Sequence, residues 1–564
     1  MSFDVVIRNG TVVDGSGLAP YRADVGIRDG RIASIGRIQE VGREEIDAEG
    51  HIVTPGFIDG HTHMDAQLFW DELGTNSCWH GVSTVVMGNC GFTLAPAHPD
   101  RRELVVRNLE RAEDISPAAL AAGVEWSWER FGGYLDAVDR APKAINYAAN
   151  IGHSALRTWA MGERAFEEEA NEDDLAAMEG ELRDALHAGA IGFTTSRSDQ
   201  HETSDNRPVA SRLASWDEVR RLVGAMGHAG AGVFQLTNEP VSAGDPDGAA
   251  EYRGRLGALA LEAGVPVTFG VSANPMGRDM LRLIDDTVAG GGRMFGLSHS
   301  RGITVMLSFK TRLPFDVLPE WKEVRGLPQD AQIRALRDPD VRKKLVYAAH
   351  HGDYGRPIGA EARKPDYDVM RIFERPVPPT PTVAEVAAER GVDPVELIID
   401  LAVESNFEQF FAQPLTRQSD EDLLALLKNP HAVMTFSDSG AHVSQILDCS
   451  IQTHLLAYWV RDRQAISLEE AIRMITLVPA MAWGFPDRGL LREGLVADVN
   501  VLDPARVAPE MPSLEYDLPG GARRLVQKAS GFLATVVGGE IVLRSGTPTG
   551  ARPGQLLRGP LAGV

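Results

Sequence analysis

The sequence predicts an α/β fold built on parallel strands, with a small β-rich unit assembled from both chain ends. Three observations predict it: apolar strand-like runs alternate with helical patterns through the middle of the chain, turn-punctuated β runs occupy both termini, and 564 residues leave room for two or three structural units.

The opening residues, FDVVIRNGTVVDGSG and then ADVGIRDGRIASIGRI, set β-branched clusters between Asn-Gly and Asp-Gly pairs, which are hairpin signals. Near the other end, ADVNVLD and LVQKASGFLATVVGGEIVLRSG repeat that grammar around Gly538 and Gly539. Two such ends can pair into one discontinuous domain, expected over 1–54 and 486–545. Between them VSTVVMGN, INYAANIGH, AIGFTTSR, AGVFQLTN, VPVTFGVSA and HAVMTFSD are separated by helical stretches such as DDLAAMEGELRDALHAG. The span 55–485 is long enough for an eightfold barrel, whose strand ends would gather polar side chains at one mouth. His61, His63, Cys90, His153, Gln235 and Asp438 all stand where such runs end. From about 301 to 381 the pattern turns irregular and rich in Pro, Arg and aromatic residues, which reads as a lid or pocket wall. Residues 546–564 read as an extended tail, and no repeat of 20 to 50 residues is present.

Composition narrows the function classes. An apolar fraction of 43% and a charged fraction of 24% are those of a water-soluble globular protein. A formal charge of −23 disfavours gripping nucleic acid. No apolar run is long enough for a membrane span, and MSFDVVIRNG lacks a secretory h-region. Three cysteines form no disulfide framework, so a reducing, cytoplasmic setting is expected. The expected partner is a small molecule, with no nucleic acid and no membrane; homo-oligomerisation stays open.

The stretch GFIDGHTHMD, Gly56 to Asp65, carries the strongest chemistry. In extended chain, side chains at i and i+2 point the same way, so His61 and His63 can present two imidazoles to one point. A lone histidine more often packs or bonds a neighbour. Two converging after a buried run, with Asp59 and Asp65 nearby as outer acceptors, favour zinc. His153 and Arg157 in GHSALR could place an imidazole and a guanidinium at the mouth to polarise a carbonyl or orient a carboxylate; the alternative is a helix-start bond and a surface charge. Arg197, His299, Arg301, His350 and His351 are weaker pocket candidates.

GFIDGHTHMD resembles the metal-binding motif of the amidohydrolase superfamily, and VVMGNCGFTLAP resembles the matching segment of the N-acyl-D-amino-acid deacylases, the D-aminoacylase family. ANIGHSALR, FSDSGAHV, DRGLLREGLVADVNVLDP and PTGARPG are similar to that family in the same order, so the resemblance spans nearly the whole chain. It implies a (β/α)8 TIM barrel with a small β-sandwich from both chain ends, a zinc at the barrel mouth, and hydrolysis of a C–N bond in an amide or N-acyl amino acid. His61, His63, Cys90 and Asp438 would be metal ligands. Asp438 would also act as general base on the metal-activated water, with His442 supporting it. Without the motif context, Asp438 reads as a helix N-cap and Cys90 as a buried thiol; Cys78 and Cys449 are read as inert thiols.

The chain departs from that family at two ligand positions. Where the deacylases end two strands in histidine, this sequence has Gln235 and Ser272 or Ala273. Three readings follow: one zinc per chain on His61, His63 and Asp438 with Cys90 or water; oxygen donors from Gln235, Asn238 or Glu239 to a harder ion; or no metal at all. The first is preferred, because the retained set makes sense if it still works. A cyclic amide or imide hydrolase and a non-hydrolytic binding protein are the alternative functions. The second must explain why a costly polar cluster is kept.

Overall fold

The computed structural model describes residues 2–241, 244–356 and 363–563. Parallel strands alternate with helices through its centre. They are β1 (Phe57–Asp59), β2 (Val82–Met87), β3 (Asn146–Ala149, continued by Ile151–Gly152), β4 (Gly192–Ser196), β5 (Val233–Thr237), β6 (Val267–Gly270), β7 (Met294–Ser298) and β8 (Ala432–Met434). Each pairs in parallel with the next. After β8 the chain meets the residues following β1: Thr62 and Ser439 form a parallel bridge, and Asp438 N donates to His61 O at 3.0 Å. The strand residues are buried almost without exception, as expected of parallel strands covered on both faces.

Helices return the chain between these strands, and their ends carry the expected caps. Helix Trp216–Ala229 starts on Ser215, whose hydroxyl accepts from Glu218 N, and ends on Gly230 at φ 69°. Among the described residues no helix is long and apolar enough to cross a membrane.

The two chain ends meet in one nine-stranded sheet. Its joint is strand Ile52–Pro55, paired antiparallel with Val499–Leu502 and parallel with Phe3–Val12. Val5, Ile7, Val25, Val499, Val501 and Val536 form its own apolar core. Asp498 ties this sheet to the parallel strands. Its carboxylate accepts from Arg488 at 2.8 Å, from Asn146 on β3 at 3.0 Å and from Gly538 N at 2.8 Å.

The two strands described in the irregular stretch after β7 pair with a third strand from beyond it. Thr304–Leu307 and Arg371–Phe373 both pair antiparallel with Phe410–Pro414, well past the 381 at which irregular composition ends. Phe309, Phe315, Trp321, Ile372, Ile398 and Phe411 share an apolar core there. Residues 357–362 of the expected insertion lie outside the described residues. The C-terminal segment is held along β3: Tyr147 N donates to Gln555 O and Leu557 N to Tyr147 O.

Asp498→Ala should leave Arg488 with only the Asp487 carboxylate, at 3.1 Å, and strip Asn146 and Gly538 N of this acceptor, lowering stability by about 2–4 kcal/mol. Denaturant unfolding of the variant beside the wild type measures this.

Candidate metal centre

Alternation along the chain after β1 decides where the two histidines point. Thr62 turns outward, its N and Oγ1 both bonding Val86 O at 2.9 Å on β2, so His61 and His63 turn inward with ring centroids 5.4 Å apart. The preceding Gly60 has no alternative, because a Cβ there would lie 1.9 Å from Trp483 Nε1. Cys90 arrives from the turn after β2 with φ 55°, and Asp438 from the turn after β8 with φ 58°. Left-handed backbone at two non-glycine residues of one cluster fits positions held for function.

These side chains converge. Asp438 Oδ1 lies 3.3 Å from His61 Nε2 and 3.1 Å from His63 Nε2, and Cys90 Sγ lies 3.5 Å from His61 Nε2. A fifth group, Glu113, has no counterpart among the sequence candidates: its Oε2 is 3.6 Å from His63 Nε2. Glu113 sits past the end of helix Arg102–Glu110, away from any strand end, and no spacing in the sequence marks it.

Burial pushes His61 down to about 4, leaving a neutral imidazole. Burial acts the same way on His63, but the Glu113 and Asp438 carboxylates outweigh it and hold His63 well above the ordinary histidine value. Asp438 would be raised by burial, yet the two imidazoles carry it well below the usual carboxylate range. Burial also pushes Cys90 up to about 11, so its thiolate needs a cation beside it.

The donor set fits a metal ion. Nε2 of His63, Oδ1 of Asp438 and Oε1 of Glu113 are buried without a hydrogen-bond partner. His61, His63 and Cys90, and again His63, Glu113 and Asp438, present donor atoms within 4.8 Å of one another. Two imidazoles, a sulfur and carboxylates make a zinc-type set.

Gln235, on β5, lies in the cluster's outer layer. Its amide is 2.7 Å from His61 Nδ1, and its Oε1 has no partner as the amide is oriented. Turned over, the amide accepts the Nδ1–H and leaves Nε2 of His61 to face the other donors. Ser272 lines the cavity without offering an imidazole. Asn238 and Glu239 are engaged elsewhere, with Tyr252 and Arg197. Asp59 and Asp65 back the motif through the backbone, bonding His61 N and Gly88 N, not through the imidazoles. His442 faces Glu113 at 3.7 Å.

The structure does not bring His153 and Arg157 to this cluster. Helix His153–Met161 begins at His153 itself, turning the ring to Thr195 Oγ1 and Glu218 Oε1, both at 2.8 Å. Arg157 bonds the other Glu218 oxygen, and all three side chains are buried. Burial lowers His153, and Arg157 supplies the charge that balances Glu218. Of the weaker candidates, His299 lines the cavity but points to Asp448 at 3.3 Å, Arg301 pairs with the same carboxylate, Arg197 with Glu239, and His350 with Asp393; His351 stacks on Tyr347.

The cluster forms one wall of a cavity of ≈ 620 Å³. His201, Phe436, Met276 and Arg363 also line it. His201 went unnoticed in the sequence; Ser196 Oγ holds its Nδ1 at 2.7 Å, and burial pushes it down to about 3.

The amidohydrolase family model matches residues 44–543. The chain therefore belongs to the amidohydrolase family and is a hydrolase of carbon–nitrogen bonds other than peptide bonds, of the D-aminoacylase type. Residues 1–54 also match the N-terminal domain of the urease alpha-subunit. Among relatives, an N-acyl-D-glutamate deacylase from Alcaligenes xylosoxydans xylosoxydans is 30% identical, over 98% of this chain and 96% of that one. A D-aminoacylase from the same organism is 28% identical, over 98% and 97%. An N-acyl-D-glutamate deacylase from Bordetella bronchiseptica, solved with zinc and a phosphonate mimic of the tetrahedral intermediate, aligns with a TM-score of 0.65 and 25% identity, over 99% of this chain and all of that one. A D-aminoacylase studied for its binuclear centre, with one-metal activation and second-metal attenuation, aligns equally well.

The Glu218 pair gives a pH prediction. Burial would raise Glu218, but His153 and Arg157 bring it from 4.5 to about 2. A depressed folded value means that its stabilisation is complete above about pH 4.5 and is lost as pH falls toward 2. Glu218→Gln should cost about 3–5 kcal/mol near neutral pH and flatten the acid limb of stability between those values, read by denaturant unfolding across pH.

Proposed function

We propose that this chain is a zinc-dependent hydrolase of an N-acyl amino acid or related amide, working with one ion on His61, His63, Cys90 and Asp438. The convergence of these four side chains at 3.1 to 3.5 Å, three of them (His61, Cys90 and Asp438) lining one cavity, carries the reading. Eight parallel strands, with a bridge between the residues after β8 and β1, support a closed (β/α)8 barrel. The sheet built from both ends supports a separate β-sandwich domain over 1–54 and 486–545, and the cluster then sits at the C-terminal mouth. Three free, buried cysteines fit the reducing cytoplasm.

A zinc ion held there would supply Lewis acidity and lower the pKa of a water to about 7. Asp438, between the two imidazoles, takes the proton of the attacking water and returns it to the leaving amine. Gln235 fixes the His61 ring from behind. Arg363 faces the cavity with its Nε free and one other nitrogen on Leu415 O, and it takes the substrate's carboxylate. His153 and Arg157 hold the helix Trp216–Ala229 against β4 and do not touch substrate.

Zinc-loaded protein tested on N-acyl-D-amino acids should lose activity on chelation and recover it with zinc. Asp438→Asn should keep the fold and lower kcat by about 10²–10⁴-fold; His61→Ala should lose metal and activity together. Full activity in metal-free protein contradicts the reading. Arg363→Met should raise KM for carboxylated substrates by at least about tenfold while sparing a neutral amide analogue, measured by steady-state kinetics.

A further inference from the structure

Glu113 is held by its backbone on two sides. Its N–H donates to Leu109 O at 3.0 Å and its carbonyl accepts from His442 N at 2.7 Å, so its main chain is pinned beside the cluster. The carboxylate is 2% exposed. Oε2 stands 3.6 Å from His63 Nε2 and 3.7 Å from His442 Nε2, and Oε1 has no partner. These separations are too long for N–H···O bonds, which fall at about 2.7–3.2 Å. They match a different geometry: two donors each about 2.1 Å from one tetrahedral ion lie about 3.4 Å apart. The His61 to Asp438 and His61 to Cys90 separations, 3.3 and 3.5 Å, fall in the same range.

We propose that Glu113 is a metal ligand, a carboxylate standing in for one of the imidazoles missing at the ends of β5 and β6. The inference rests on the metal-dependent reading above and adds a donor from a loop that carries no motif. His63 belongs both to the His61, His63 and Cys90 group and to the His63, Glu113 and Asp438 group, so Glu113 extends the donor set beyond the four residues already assigned. A buried carboxylate with an unpartnered oxygen is costly to keep. A divalent cation beside it removes that cost. Exchanging imidazole for carboxylate also hardens the donor set, so Mn²⁺ and Co²⁺ should occupy the site more readily than in an all-nitrogen centre.

The test compares wild type, Glu113→Gln, Glu113→Asp and the exposed control Glu103→Gln as full-length chains, each checked for folding by circular dichroism. Zinc affinity is read by competition with a chromophoric chelator, and donor identity by the absorption spectrum of the Co²⁺-loaded protein. Glu113→Gln should weaken zinc at least about tenfold and shift the Co²⁺ bands, while Glu103→Gln matches wild type. Glu113→Asp, with its shorter reach, should shift the bands again, and it carries the test if the Gln variant does not fold. Wild-type affinity and an unchanged Co²⁺ spectrum in a folded Glu113 variant overturn the proposal and leave Glu113 as an ion-pair partner of His63 and His442. Absence of zinc binding by the wild type itself defeats the metal-dependent reading first.

Discussion

The seam between the residues after β1 and those after β8 is the constraint on which the site depends. Asp438 N donates to His61 O at 3.0 Å and His63 N to Ser439 O at 2.7 Å. These two backbone bonds set the register in which a carboxylate from the far end of the chain meets two imidazoles from near its start. A slip of one residue would turn His61 and His63 outward and put Thr62 in their place. Gly60 packs under the Trp483 indole, and Asn89 bonds Thr62 O at 2.8 Å, so the seam is clamped from both sides. The polar cluster is thus a consequence of strand order more than of local sequence.

Around that seam the chemistry is one of compensated burial. Five ionisable side chains meet where water is largely excluded, and their charges are balanced against one another incompletely. Asp438 stays ionised because His61 and His63 flank it, while burial keeps Cys90 a thiol in spite of His63 beside it. A divalent ion would draw the Cys90 thiol toward thiolate and give the unpartnered oxygens of Asp438 and Glu113 a partner, which favours the proposed binding site over packing. The second buried charge group, His153, Glu218 and Arg157, makes the contrast: every carboxylate oxygen there has a partner, and no cation is called for.

Much of this was legible in the sequence, for physical reasons. His61 and His63 stand just past a strand end, where period-two alternation aims them together, whereas Cys90 and Asp438 were picked out by their motif context. The loss of imidazole at Gln235 and Ser272 was legible only against the family resemblance, since nothing local marks a missing side chain. Glu113 was not legible, because its place beside the cluster comes from a loop pinned to Leu109 and His442, contacts that no local pattern encodes. For His153 the sequence left a pocket role and a helix-start bond open, and the structure shows the second: a helix begins at that residue and turns the ring toward Glu218. The extent of the segment after β7 escaped because Phe410–Pro414 completes its sheet from far along the chain.

The central claim is that one metal ion sits among His61, His63, Cys90 and Asp438. X-ray absorption at the zinc edge of the loaded protein tests it most directly. The predicted result is one zinc per chain with a single sulfur neighbour at about 2.3 Å beside nitrogen or oxygen donors at about 2.0–2.2 Å. A shell without sulfur, or a protein that takes up no zinc, would contradict it.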